Sequence, residues 1–141
     1  MLIFIPLVLA LLMNVVMEYQ QLAVTAETER MASTQQRAIQ TVTFMNAMND
    51  YLYDHPLRDG SIPQDKLPVR PPENARHIVR QGRAYIWQPF QPGLLYELAL
   101  ASDISALVGK VENGQLHDVI GTDMQVDVPS DIPDGTIVYM N

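Results

Sequence analysis

The sequence predicts an α+β fold, a long N-terminal helix packed on a small antiparallel sheet, and three observations lead there. No Gly or Pro interrupts residues Leu7 to His55, so nothing local stops a helix that starts near the N-terminus. Within that stretch Ile39, Val42, Met45, Met48 and Leu52 recur at three- and four-residue steps, an apolar stripe for packing or assembly. From Gly82 onward, short apolar alternations are separated by Gly, Asn and Pro turn signals. The expected division is residues 1–22 as a transmembrane signal-anchor helix, 23–38 as a helical stalk, and 39–141 as an exported α+β domain.

The first element is the run MLIFIPLVLALLMNVVM, which carries no charge before Glu18. Leu2, Phe4, Leu9, Leu12 and Val16 point in every direction around a helix, whereas a helix of a soluble domain keeps one polar face. At ~1.5 Å per residue the run spans roughly 25 Å, close to a hydrocarbon layer of ~30 Å. Tyr19 follows at the position of an interfacial aromatic. A cleaved signal peptide is the rival, because Val24-Thr25-Ala26 before Glu27 offers small residues for a protease. Retention is the expected outcome. No Lys or Arg precedes Arg30, and the small-residue site lies well beyond the apolar run. By analogy with signal anchors, the N-terminus is expected in the cytoplasm and the C-terminal domain is expected to be exported.

The remainder of the 141 residues suits one small domain. The net charge of −7 argues against nucleic-acid binding. The absence of cysteine removes disulfides, thiol nucleophiles and Cys-based metal sites. In the stalk, Glu27 and Glu29 precede Arg30 and Arg37 in the order a helix dipole prefers.

His55 before Pro56 ends the helix. The Pro-rich segment that follows is expected to be an ordered loop, laying Ile62, Leu67 and Val69 on the helix, with a disordered linker as the alternative. GRAYIWQ reads as a strand over Gly82–Gln88, and Leu94, Leu95, Leu98 and Ala101 as a short helix after Pro92-Gly93. Val108 and Val111 oppose Leu116, Val119 and Ile120 across Asn113-Gly114, a hairpin signal. GTIVYMN is a closing strand. The run DMQVDVPSDIPDG, with Asp123, Asp127, Asp131 and Asp134, lacks the alternation and closing Glu of a calcium loop and reads as solvated turns.

No constellation for catalysis appears. His55, His77 and His117 lack partners at metal-ligand spacing, and neither a G-x-S-x-G elbow nor a phosphate loop is present. No enzyme activity, metal or cofactor is expected. Charge is unevenly spread: Lys66, Arg70, Arg76, Arg80 and Arg83 form a basic segment, and six acids follow Lys110 with no base. The two regions either face one another within the domain or form complementary docking patches. Trp87, Phe90 and Tyr96 are expected in the core, with surface anchors as the alternative.

The ordered set YLYDHPLRDGSIPQDKL, GRAYIWQPFQPGLLYEL, LVGKVENGQL and IPDGTIVYM resembles the PilM family of plasmid-type thin (type IVb) pilus systems. With the N-terminal anchor, the likeness covers nearly the whole chain. It is not a likeness to the similarly named actin-like ATPase, which would need a phosphate-binding loop. The resemblance implies a non-enzymatic inner-membrane accessory protein of type IV pilus biogenesis, linked to conjugation. The expected partners are other pilus components (the pilin, inner-membrane platform or secretin-side proteins), and an anchored structural subunit is expected to associate either with itself or with a partner through the anchor and the stripe. The architecture is also similar to that of type IV pilins. However, the basic leader, the Gly at a peptidase site and the Glu five residues into the mature helix are not in this sequence, so prepilin-peptidase processing is not expected. The alternative is a periplasmic binding module, released by signal cleavage, that recognises peptidoglycan or a secreted pilin.

Overall fold

The computed structural model describes residues 4–103 and 107–141. Helix α1 is Phe4–Asp54 and ends where the stretch free of Gly and Pro ends. The ring of His55 stacks on Tyr51 at 4.7 Å, and the His55 N–H donates to the Tyr51 carbonyl ahead of Pro56. Contacts divide the chain into two units, residues 1–33 and 34–141.

The first unit is helix throughout its described residues, and its apolar side chains are exposed. The second holds six strands: β1 (Arg76–Arg80), β2 (Arg83–Gln88), β3 (Leu107–Glu112), β4 (Gln115–His117), β5 (Asp123–Asp127) and β6 (Ile137–Met140). Helix α2 (Leu94–Ala101) lies between β2 and β3. The strands form one antiparallel sheet in the order β1-β2-β6-β3-β4-β5.

Strand alternation gives the sheet two buried faces. Val79, Ala84, Ile86, Val108, Ile137 and Tyr139 pack with α1 and with Leu94 and Leu98 of α2. Tyr85, Val111, Leu116, Val138 and Met140 form a second cluster, closed by Ile132 and by Met124, Val126 and Val128. As expected, Ile62 and Leu67 of the Pro-rich segment are buried in the first cluster, and Val69 packs against it.

The expected elements at Leu94–Ala101, at the hairpin and at the closing strand are present, and the expected strand begins at Arg83. Asn113 and Gly114 both have positive φ (54° and 74°), as a two-residue hairpin turn requires. Two strands depart from expectation. β1 was hidden by its charged residues, and β5 occupies part of the acidic run expected to be solvated turns. Val119 and Ile120, expected on the hairpin, lie exposed in the turn after β4.

Candidate interaction surfaces

Three surfaces follow from the residues singled out in the sequence, and the first is the N-terminal segment. Phe4, Leu9, Leu12 and Val16 are all more than half exposed, while Leu2 lies outside the described residues. Among the described residues, α1 is the one helix long and apolar enough to cross a membrane. It contains an 18-residue window of mean hydropathy 1.5, none of it buried in protein.

The second is the stripe on α1. Met45 and Met48 are fully buried, and Val42 and Leu52 are partly buried against the same cluster. Ile39 is not part of that face and is 60% exposed. The reason is rotational. Ile39, Val42, Met45 and Met48 are related by three steps of three residues, about two and a half turns at ~3.6 residues per turn, so Ile39 and Met48 fall on opposite sides of the helix. The buried face is set instead by Thr34, Ala38, Thr41, Phe44, Met45, Ala47 and Met48. Thr34 and Ala38 fall in the stretch expected to be stalk.

That face also carries a polar seam that the sequence pattern does not announce. Gln88 of β2 is buried, and its Nε2 donates to Thr41 Oγ1 at 3.0 Å. Arg37 donates from Nε to Gln88 Oε1 and from its guanidinium to the Glu73 carbonyl. Gln91 Nε2 donates to Thr34 Oγ1 at 3.2 Å. Burial pulls the Arg37 pKa below its ordinary value, with Glu73 acting in the opposite sense. Among the described residues, no buried side-chain N or O lacks a hydrogen-bond partner. In sequence, Thr34, Arg37 and Gln88 look like ordinary surface residues, so only their partners across the fold reveal them.

The third is the basic segment, which does not act as one patch. Arg80 and Arg83 are directly opposite in the β1–β2 register, a like-charge pair. Asp131 relieves it, bridging Arg80 at 3.1 Å. The Arg80 guanidinium holds the Asp131 carboxyl below the usual range. Arg76 and Arg83 are exposed on the same hairpin. Lys66 and Arg70 are exposed in the Pro-rich segment, where Arg70 lines a groove with α1. The aromatics also divide. Trp87 is partly buried in the second cluster, whereas Phe90 and Tyr96 are each 55% exposed, contrary to the core expectation. Phe90 carries Lys110 Nζ 4.8 Å above its ring.

Among the described residues, no cluster of three or more metal-ligating side chains occurs. His77 serves packing. It meets Phe44 edge-on at 5.4 Å, and its Nε2 lies 3.2–3.3 Å from the backbone N and O of Ile62. Burial lowers its pKa, with the Ile62 contact opposing. Because the folded pKa lies below the unfolded value, the unfolded chain takes up the proton first. Stability therefore falls as pH drops below ~6.5. Chemical denaturation between pH 8 and 5 is expected to show that loss. His77→Phe is expected to flatten it, and an unchanged slope would refute the assignment.

Two comparisons with known proteins are informative. The sequence model of the PilM family matches residues 7–140. A crystal structure of a protein designated PilM from Escherichia coli B7A is similar at 38% identity and a TM-score of 0.65. The match covers 79% of this chain and 93% of that one. No curated protein matches the chain.

Proposed function

This chain belongs to the PilM family, and on that premise we propose that it is a non-enzymatic, single-pass inner-membrane component of a type IV (thin) pilus assembly machine. In this reading residues 1–22 stay in the membrane and residues 39–141 work in the periplasm, in a minor-pilin-like or basal-body role in pilus biogenesis and conjugation. The observation that carries it is the exposed, uncharged run at the N-terminus. Its partners are the pilin and the platform or secretin-side proteins. The exposed Arg76 and Arg83 offer charge to an acidic face.

Leu12→Arg or Leu9→Arg is the test. A charge near the centre of a spanning helix costs about 2.5–3.5 kcal/mol of insertion. The expected result is loss of the chain from the carbonate-resistant membrane fraction, together with loss of pili. A variant that stays embedded and assembles pili would overturn the anchor. The small residues at Val24-Thr25-Ala26 support the second reading, a released periplasmic binding module. A mature N-terminus at Glu27 would establish that reading and exclude the first.

A further inference from the structure

Ile39 is the apolar residue that the core rejects, and its surroundings give it a use. It stands as a ridge between two shallow grooves of about 420 and 340 Å³. On one side the wall is Val69 and Arg70, and on the other it is Leu100 and Glu97. Among the described residues, neither Arg70 nor Glu97 has an ion-pair partner. Further along α1, Asn46 and Tyr53 follow Ile39 at seven-residue steps, and all three are exposed. Seven residues are close to two turns, so the three lie nearly in one line.

We propose that this face docks a second copy of the chain, α1 against α1, in parallel about a two-fold axis that runs along the helices. Symmetry and charge select this arrangement. In a parallel pair, the left side of one protomer meets the right side of its partner, so Arg70 comes opposite Glu97 on both flanks. In an antiparallel pair, left meets left, and Arg70 would oppose Arg70. Two copies anchored in one membrane are also held close to one another, so the inference rests in part on the anchor reading above. Along the axis, Ile39, Asn46 and Tyr53 each meet their own copy, as in any parallel isologous contact. An Asn in such a line favours a fixed register. A stable soluble interface buries ~1,600 Å², more than a line of three side chains with two flanking charges is expected to supply. Confinement to one membrane raises the effective concentration of the second copy and offsets that deficit.

The cysteine-free sequence makes the test direct. The full chain carrying Ile39→Cys, Asn46→Cys or, as an exposed control, Ser130→Cys is oxidised mildly in membrane vesicles. A disulfide needs Cα atoms within ~7 Å, so only in-register residues near the axis can form one with their own copies. The expected result is a disulfide dimer at positions 39 and 46 and little at position 130. In the Ile39→Cys background, Arg70→Glu or Glu97→Arg alone should lower the yield several-fold, and the two together should restore it. Restoration identifies the occupant, since both charges of a copy-to-copy contact are reversed at once, whereas a different protein would meet both faults. A yield at position 39 no greater than at position 130, or no recovery in the double variant, overturns the proposal. Carbonate extraction of the same vesicles separates the two readings. A chain that resists extraction but gives no dimer leaves the anchor standing and removes the interface. If the chain is extracted, the anchor fails, and the charge-reversal series on the released chain still decides the interface.

Discussion

Met45→Asp is expected to unfold residues 34–141, whereas Ile39→Asp, on the same helix, leaves them intact. Met45 is 1% exposed and packs in the cluster between α1 and the sheet. Truncating a buried methionine costs about 2–5 kcal/mol. Forcing a carboxyl into the same space adds the penalty of an unpartnered polar group. A small domain has only ~5–15 kcal/mol of stability in total. Ile39 faces out of the core, and a surface substitution there should change stability by no more than ~0.5 kcal/mol. Trp87, the only tryptophan, packs in the second cluster and reports the sheet rather than the helix. Denaturation of the full chain in detergent micelles, followed by its fluorescence, decides the matter. Equal midpoints for wild type and Met45→Asp would refute the role of α1 as the spine of the sheet.

Gly109→Ala is the second large effect. A Cβ at Gly109 would lie 2.5 Å from the His117 carbonyl oxygen and 2.6 Å from Leu116 Cγ. Ordinary carbon contacts begin near 3.5 Å, so β4 cannot keep its place. Overpacking of this kind costs about 1–3 kcal/mol. At about 4–8 °C per kcal/mol, the melting temperature of the domain should drop clearly. Amide exchange should quicken first at Lys110 and His117, a facing pair of the β3–β4 ladder, and less at Val111, whose N–H donates to the Thr136 carbonyl on the other side of β3. A variant with unchanged melting and exchange would show that the strands do not approach so closely.

These two sites also mark what the sequence could convey. The existence of α1, its end at Pro56 and the Asn113-Gly114 hairpin were legible, because each is fixed by local chemistry. β1 is not legible because its turn uses less familiar residues: Gln81 and Gly82 both have positive φ (52° and 77°), as Asn113 and Gly114 do. β5 is masked by the charges of Asp123 and Asp127, although Met124, Val126 and Val128 alternate toward the second cluster. Hydrophobicity alone puts Ile39 in the α1 stripe, but it does not tell which stripe residues face the core. The face that packs is led by Ala38, Thr34 and Thr41, whose value is their small size and their hydroxyls. The need for glycine at position 109 depends on a strand that folds back beside it, which no local pattern expresses.

The polar seam has a mechanical consequence. Thr34, Arg37 and Thr41 lie on one side of α1 and are tied to Gln91, Gln88 and the Glu73 carbonyl. Apolar packing alone resists separation of a helix from a sheet but offers little resistance to sliding, since one methyl group replaces another. Directional bonds do resist it. A tug along the axis of α1 would strain all these bonds at once, so they share the load instead of peeling one by one. At the far end of the helix, Asn49 is bonded to Asn141, whose amide oxygen accepts from the Ala84 N–H. α1 is thus bolted to β2 near both ends of that strand, and a pull on the helix is delivered to the sheet as shear.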